Sequence, residues 1–161
     1  MGVFVFLRPD PAAAAEIARF GDVPAADVHL TLRFLGSRSD LPPGAADRLR
    51  RELGALAARR RAFLALVARQ GMFMGDREDA VYATADSPEL APLRADVVRA
   101  ADAAGVRGDD SHAFVPHLTL GRVPHGSSWD RPPPFLRVRF DAVWISWSKG
   151  ETEAFRFAGD R

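Results

Sequence analysis

HLTLRFLG, residues 29–36, and HLTLGRVP, residues 117–124, open on the same four residues 88 positions apart (29 to 117). The chain holds four histidines, and two of them head these tetrapeptides. Successive side chains of a β-strand point to opposite faces. A straight strand therefore sets Leu30, Leu32 and Phe34 on one face, and His29, Thr31 and Arg33 on the other. The second copy sets Leu118 and Leu120 against His117 and Thr119. Each copy offers a leucine face to a core and a His-Thr face to something else. A single histidine in such a strand would ordinarily be a structural, hydrogen-bonded residue. Repetition of residue type and spacing together points instead to one shared site.

The elements around these strands follow from punctuation by proline and glycine. Residues 3–7 form an apolar first strand ended by Pro9, and Asp10-Pro11 caps a short helix over 12–20 that stops at Gly21. Residues 28–35 form the second strand. Pro42-Pro43-Gly44 opens a helix over 45–58 whose Leu49, Leu53 and Leu56 make one buried stripe; its arginines are a solvated face. Strands are expected at 63–74 and 80–85, then a helix from Ser87-Pro88 to Gly105, then strands at 117–123, 135–140, 143–148 and 153–157. Lys149-Gly150 is the turn of a final hairpin. Many strands and few helices favour an α+β fold with antiparallel sheets over a doubly wound parallel sheet. Helix followed by an HLTL strand, twice, suggests an internal pseudo-repeat.

Composition bounds the rest. A chain of 161 residues with 47% hydrophobic and 27% charged residues reads as one soluble domain spanning 1–161. Net charge is +1, so bulk charge does not mark a nucleic-acid binder. Lys149 is the only lysine, and arginine, which grips phosphate bidentately, carries the remaining positive charge. A GC-rich genome supplies the same bias. There is no cysteine, which excludes disulfides and thiolate catalysis and fits a reducing, cytoplasmic location. No apolar run is long enough for a membrane span, and residues 1–10 read as a strand, not a signal peptide.

Two imidazoles flanking one phosphorus can divide the work of an in-line displacement. One takes a proton from the attacking oxygen while the other gives a proton to the leaving oxygen. A threonine hydroxyl two residues along can hydrogen-bond a nonbridging oxygen. Cyclic phosphate diesters suit this set, because ring opening needs one acid and one base. A metal site lacks support: there is no HExxH and no cysteine, and neither histidine has an acidic neighbour at ligand spacing.

These motifs resemble those of the 2H phosphoesterase superfamily, and within it the RNA 2′,3′-cyclic phosphodiesterases, also called 2′-5′ RNA ligases. The likeness rests on HLTLRFLG, FVPHLTLGR, the opening FLRP, the LPPG after the first motif and the final WISWSKGETEAFRF. It implies two pseudo-symmetric lobes with antiparallel sheets and a central cleft. It implies metal-independent opening of RNA 2′,3′-cyclic phosphate ends to a 2′-phosphate, and ATP-independent 2′-5′ ligation. Its implied partners are RNA ends, tRNA fragments being candidates, with no cofactor, no membrane and a monomeric state. His29 and His117 are then the catalytic pair, with His29 as acid and His117 as base by family precedent; the residues themselves leave that assignment open. Thr31, Thr119, Arg122 and Arg33 are the expected substrate contacts. The alternatives are a 2′-5′ oligonucleotide or small cyclic-nucleotide phosphodiesterase, or a non-catalytic RNA-end binder.

Position parity complicates the flanks. Arg122 matches the arginine that closes the family's second motif, yet in a straight strand it points away from His117; a bulge at Gly121 would resolve the conflict. Phe34 has the same parity problem and is expected in the core, although the resemblance implies a base-stacking aromatic near this position. Arg33 shares the His29 face in a straight strand and can reach phosphate. His112 and His125 are expected in solvent, and Trp144 and Trp147 in the core, with stacking on bases as the alternative for the two tryptophans.

Overall fold

A computed structural model describes residues 2–159. Helix α1 (Pro11–Ala18) begins where expected: Asp10 accepts a hydrogen bond from the Ala13 N–H at 3.2 Å, and Pro11 occupies the first turn. Helix α2 (Ala45–Ala58) buries Leu49, Leu53 and Leu56 together with Ala45 and Ala57. Helix α3 (Leu90–Ala103) buries Leu90, Leu93 and Val97. The strands are β1 (Phe4–Leu7), β2 (Leu30–Phe34), β3 (Phe63–Phe73), β4 (Glu78–Asp86), β5 (His117–Pro124), β6 (Leu136–Phe140), β7 (Ala142–Ser148) and β8 (Glu151–Arg156).

They form two antiparallel four-stranded sheets, in the orders β2-β1-β7-β8 and β5-β4-β3-β6. The α+β expectation holds. The orders are equivalent: in each sheet an HLTL strand lies at the edge and pairs with the strand that precedes it. One sheet is contiguous in the chain, β3 to β6, whereas the other joins both ends of it, β1 and β2 with β7 and β8. β7, late in the chain, joins β1, while β6 joins β3. Helix α2 packs on α3 and on β7 and β8, α3 reaches β2, and α1 reaches β6. One apolar cluster runs through both halves. It takes Val5, Leu7, Leu30 and Leu32 from one sheet and Val81, Ala83, Leu118 and Leu120 from the other. Edge strands β2 and β5 lie against each other, so the two motifs meet where the sheets meet.

Candidate active site

The two motif strands share an irregularity. Along β1 and β2, Val5 pairs with Arg33 but Phe6 pairs with Thr31, so Leu32 is an extra, unpaired residue. Along β4 and β5, Val81 pairs with Gly121 but Tyr82 pairs with Thr119, so Leu120 is extra. Each is a β-bulge, and one inserted residue reverses the face of everything after it. Directly opposed residues of an antiparallel pair share a face. Arg122 opposes Ala80, Thr119 opposes Tyr82 and His117 opposes Thr84, all on the side of β4 away from its buried Val81, Ala83 and Ala85. Arg122 therefore stands with Thr119 and His117, and the parity conflict is resolved by the bend.

The same bend overturns two expectations on β2. Phe34 opposes Phe4, turns toward the motif face and is 46% exposed instead of joining the core. Arg33 opposes the buried Val5, is itself only 5% exposed, and does not share the face of His29. Its guanidinium donates to Asp110 Oδ2 at 2.8 Å and to the Val98 carbonyl at 3.3 Å. It is a strut between β2, α3 and the following loop, and not a phosphate contact.

Loops from the opposite half close on both bulges. The Leu120 carbonyl, released from the ladder, accepts hydrogen bonds from the N–H groups of Asp22 (2.8 Å) and Val23 (3.3 Å). A Cβ at Gly21 would collide with that carbonyl. At the other bulge, a Cβ at Gly108 would collide with the Arg33 side chain and the Phe34 carbonyl. Both glycines permit a backbone approach that no larger residue allows.

The histidines are held identically. His29 Nδ1–H donates to the Asp27 carbonyl at 2.8 Å, and His117 Nδ1–H donates to the Val115 carbonyl at 2.6 Å. A carbonyl can only accept, so Nδ1 carries the proton in both rings and Nε2 is the nitrogen that exchanges one. Aromatic rings brace each imidazole. Phe4 and Phe6 lie 5.6 Å from His29, and Phe73 and Tyr82 lie 4.8 and 5.3 Å from His117. Burial pushes the His117 imidazolium below the ordinary histidine range, and the nearby His29 adds to that effect, while the Val115 carbonyl opposes it. Thr31 and Thr119 are half-buried on the same faces.

A pocket of about 390 Å³ opens beside His29, between Phe4, Phe6, Arg8, Lys149 and Thr152. A second, of about 530 Å³, opens beside His117, between Phe73, Met74, His112 and Val115. The aromatic walls stand outside the two motifs, although alternation along 4–8 signals them: Phe4, Phe6 and Arg8 fall on one face, Val5 and Leu7 on the other. Trp147 is buried as expected, but Trp144 is not core; it stacks on Phe6 at 6.2 Å on the site face. His112 is exposed, as expected. His125 is exposed too, as expected, and pairs with Asp79 at 2.9 Å. That buried carboxylate also accepts the N–H groups of Gly75 and Gly126, each at 2.9 Å, which hold it below the usual aspartate range. His125 thereby belongs to a turn. Among the described residues no group of three or more His, Cys, Asp or Glu is placed to hold a metal ion.

The model of the 2′-5′ RNA ligase superfamily matches residues 7–150. The fold is similar to that of TT0787 of Thermus thermophilus, with a TM-score of 0.70 at 22% identity over 99% of this chain and 100% of that one. It is similar to E. coli LigT complexed with 3′-AMP, with a TM-score of 0.73 at 18% identity over 98% of each chain. Kluyveromyces marxianus Usb1 shares it at 9% identity, with a TM-score of 0.62 over 96% of this chain and 97% of that one. No curated protein sequence matched the chain.

Proposed function

This chain belongs to the 2′-5′ RNA ligase superfamily, and on that premise we propose that it opens RNA 2′,3′-cyclic phosphate ends to 2′-phosphates by histidine acid-base catalysis. The observation that carries the reading is the matched pair of imidazoles. Each is locked through Nδ1 to the carbonyl two residues before it, on two edge strands that touch. Each Nε2 is thereby left for the reaction.

In this reading water attacks phosphorus in line with the 3′-oxygen. His117 accepts the water proton at Nε2; its burial favours the neutral base. His29 donates its Nε2 proton to the departing 3′-oxygen. The P–O3′ bond breaks, and a 3′-hydroxyl and a 2′-phosphate remain. Thr31 and Thr119 donate hydrogen bonds to nonbridging oxygens, and Arg122 offers a planar cation to the same phosphate. With an RNA 5′-hydroxyl in place of water, the same displacement makes a 2′-5′ linkage without ATP; cleavage of that linkage runs backwards with the histidine roles exchanged. Neither direction calls on a metal. The nucleotide named in the LigT complex supports the accommodation of a ribonucleotide in such a cleft.

The test is turnover of an oligoribonucleotide ending in 2′,3′-cyclic phosphate. His29→Ala and His117→Ala are each expected to lower kcat by about a hundredfold or more. Full activity in both variants would remove the site.

A further inference from the structure

The face of β1 that carries Phe4 and Phe6 ends in an arginine that the mechanism does not use. The guanidinium carbon of Arg8 lies 4.2 Å from the Trp144 ring centre and 5.5 Å from that of Phe6. Phe6 in turn contacts His29 at 5.6 Å, edge to face. A continuous row thus runs from the catalytic imidazole through Phe6 and Trp144 to a cation. Arg33, Arg50, Arg60 and Arg94 each pair with a carboxylate. Arg8 has no such partner among the described residues, and its Nε is buried without a hydrogen bond. Stacking on indole covers the flat face of the guanidinium and leaves its N–H edge, which is the geometry that matches two phosphate oxygens. Arg8 lines the pocket beside His29, and so does Lys149, the only lysine of the chain. The Ser146 and Thr152 side chains lie in the same lining.

We infer that Arg8, seated on Trp144 and assisted by Lys149, binds the phosphate on the 5′ side of the reacting nucleotide. The inference rests on the proposed ring opening for its polarity. If His29 protonates the 3′-oxygen, the ribose of the reacting nucleotide lies on the His29 side, and its 5′ substituent extends over the same sheet. The reactive phosphate is held between the histidines and Arg122, so Arg8 is left for its neighbour. The site reads the substrate as the end of a chain: a nucleotide with a 5′-phosphoryl group is taken in preference to one with a free 5′-hydroxyl.

The experiment compares kcat/KM for adenosine 2′,3′-cyclic phosphate bearing either a 5′-phosphate or a 5′-hydroxyl, in wild type and in Arg8→Ala. The ratio of the two substrates cancels any loss of folded enzyme. Wild type is expected to favour the 5′-phosphate about tenfold, and Arg8→Ala to bring the ratio to about one or two. A wild-type ratio near one, or an unchanged ratio in Arg8→Ala, overturns the inference. Arg8→Gln, which keeps more of the bulk over Trp144, repeats the comparison if the alanine variant does not fold. If wild type opens neither substrate, the proposed reaction fails while the subsite is still measurable. Calorimetric affinities for adenosine 3′,5′-bisphosphate and adenosine 3′-monophosphate then give the same ratio, with the same outcomes.

Discussion

Leu32 and Leu120 are the extra residues of two equivalent β-bulges, each three positions after a motif histidine. Each bulge swings the residue at the fifth position after the histidine back onto the motif face. On β2 that residue is Phe34, and on β5 it is Arg122. One lobe therefore brings a ring to the cleft and the other a positive charge. The residue immediately after each bulge turns inward: Arg33 becomes a buried strut, and Gly121 lies close under Trp129.

The two arginines should therefore fail in different ways. Arg122 Nη1 reaches Glu78 Oε1 only at 3.9 Å and its side chain is 59% exposed, so its guanidinium is open to solvent on the motif face. Arg122→Ala is expected to lower kcat/KM about tenfold with little change in melting temperature. Arg33→Ala removes a buried cation hydrogen-bonded to Asp110 and Val98. It is expected to cost about 1–3 kcal/mol of stability while the folded fraction keeps its specific activity. Thermal melts and steady-state kinetics on both variants separate the two roles, and the reverse pattern would refute the bulge argument.

Gly21 tests whether the β5 bulge needs its cross-lobe support. A methyl group there meets the Leu120 carbonyl, a backbone atom that cannot swing aside. Gly21→Ala is expected to cost about 1–3 kcal/mol, the range of overpacking a closed site. It should also lower kcat/KM, because the carbonyl it pushes belongs to the bulge between Thr119 and Arg122. A variant as stable and active as wild type would show that the close approach is dispensable.

The elements are legible in the sequence because local signals set them. Asp10-Pro11 starts α1, and the leucine stripe marks α2. Alternation sets His29 with Thr31, and His117 with Thr119, opposite the core leucines. The bulges are half legible. Gly121 announces a bend on β5, whereas β2 carries no glycine between His29 and Phe34, and a straight reading sends Arg33 to the cleft. The return of β7 and β8 to the sheet of β1 and β2 is set by long-range packing and leaves no local mark. Trp144 misleads for a related reason. A tryptophan in an apolar strand reads as core until its neighbour across the sheet, Phe6, is known to line a site.

The pH dependence follows from the environment of His117. Burial disfavours its charged form, so the neutral base persists below the ordinary value of 6.5. As pH falls, kcat/KM should hold through 6.5 and drop only below it. Phe73→Ala removes an aromatic wall 4.8 Å from the ring and is expected to move that limb upward. An acid limb at or above 6.5 in wild type, or one that Phe73→Ala does not move, would contradict His117 as the buried base.

The most direct measurement is product identity. Purified protein is incubated in EDTA with an oligoribonucleotide ending in 2′,3′-cyclic phosphate, and the position of the product phosphate is mapped. The expected result is a 2′-phosphate with a free 3′-hydroxyl, formed at the same rate with and without the chelator. A 3′-phosphate product, or activity abolished by EDTA, would contradict the paired-histidine account.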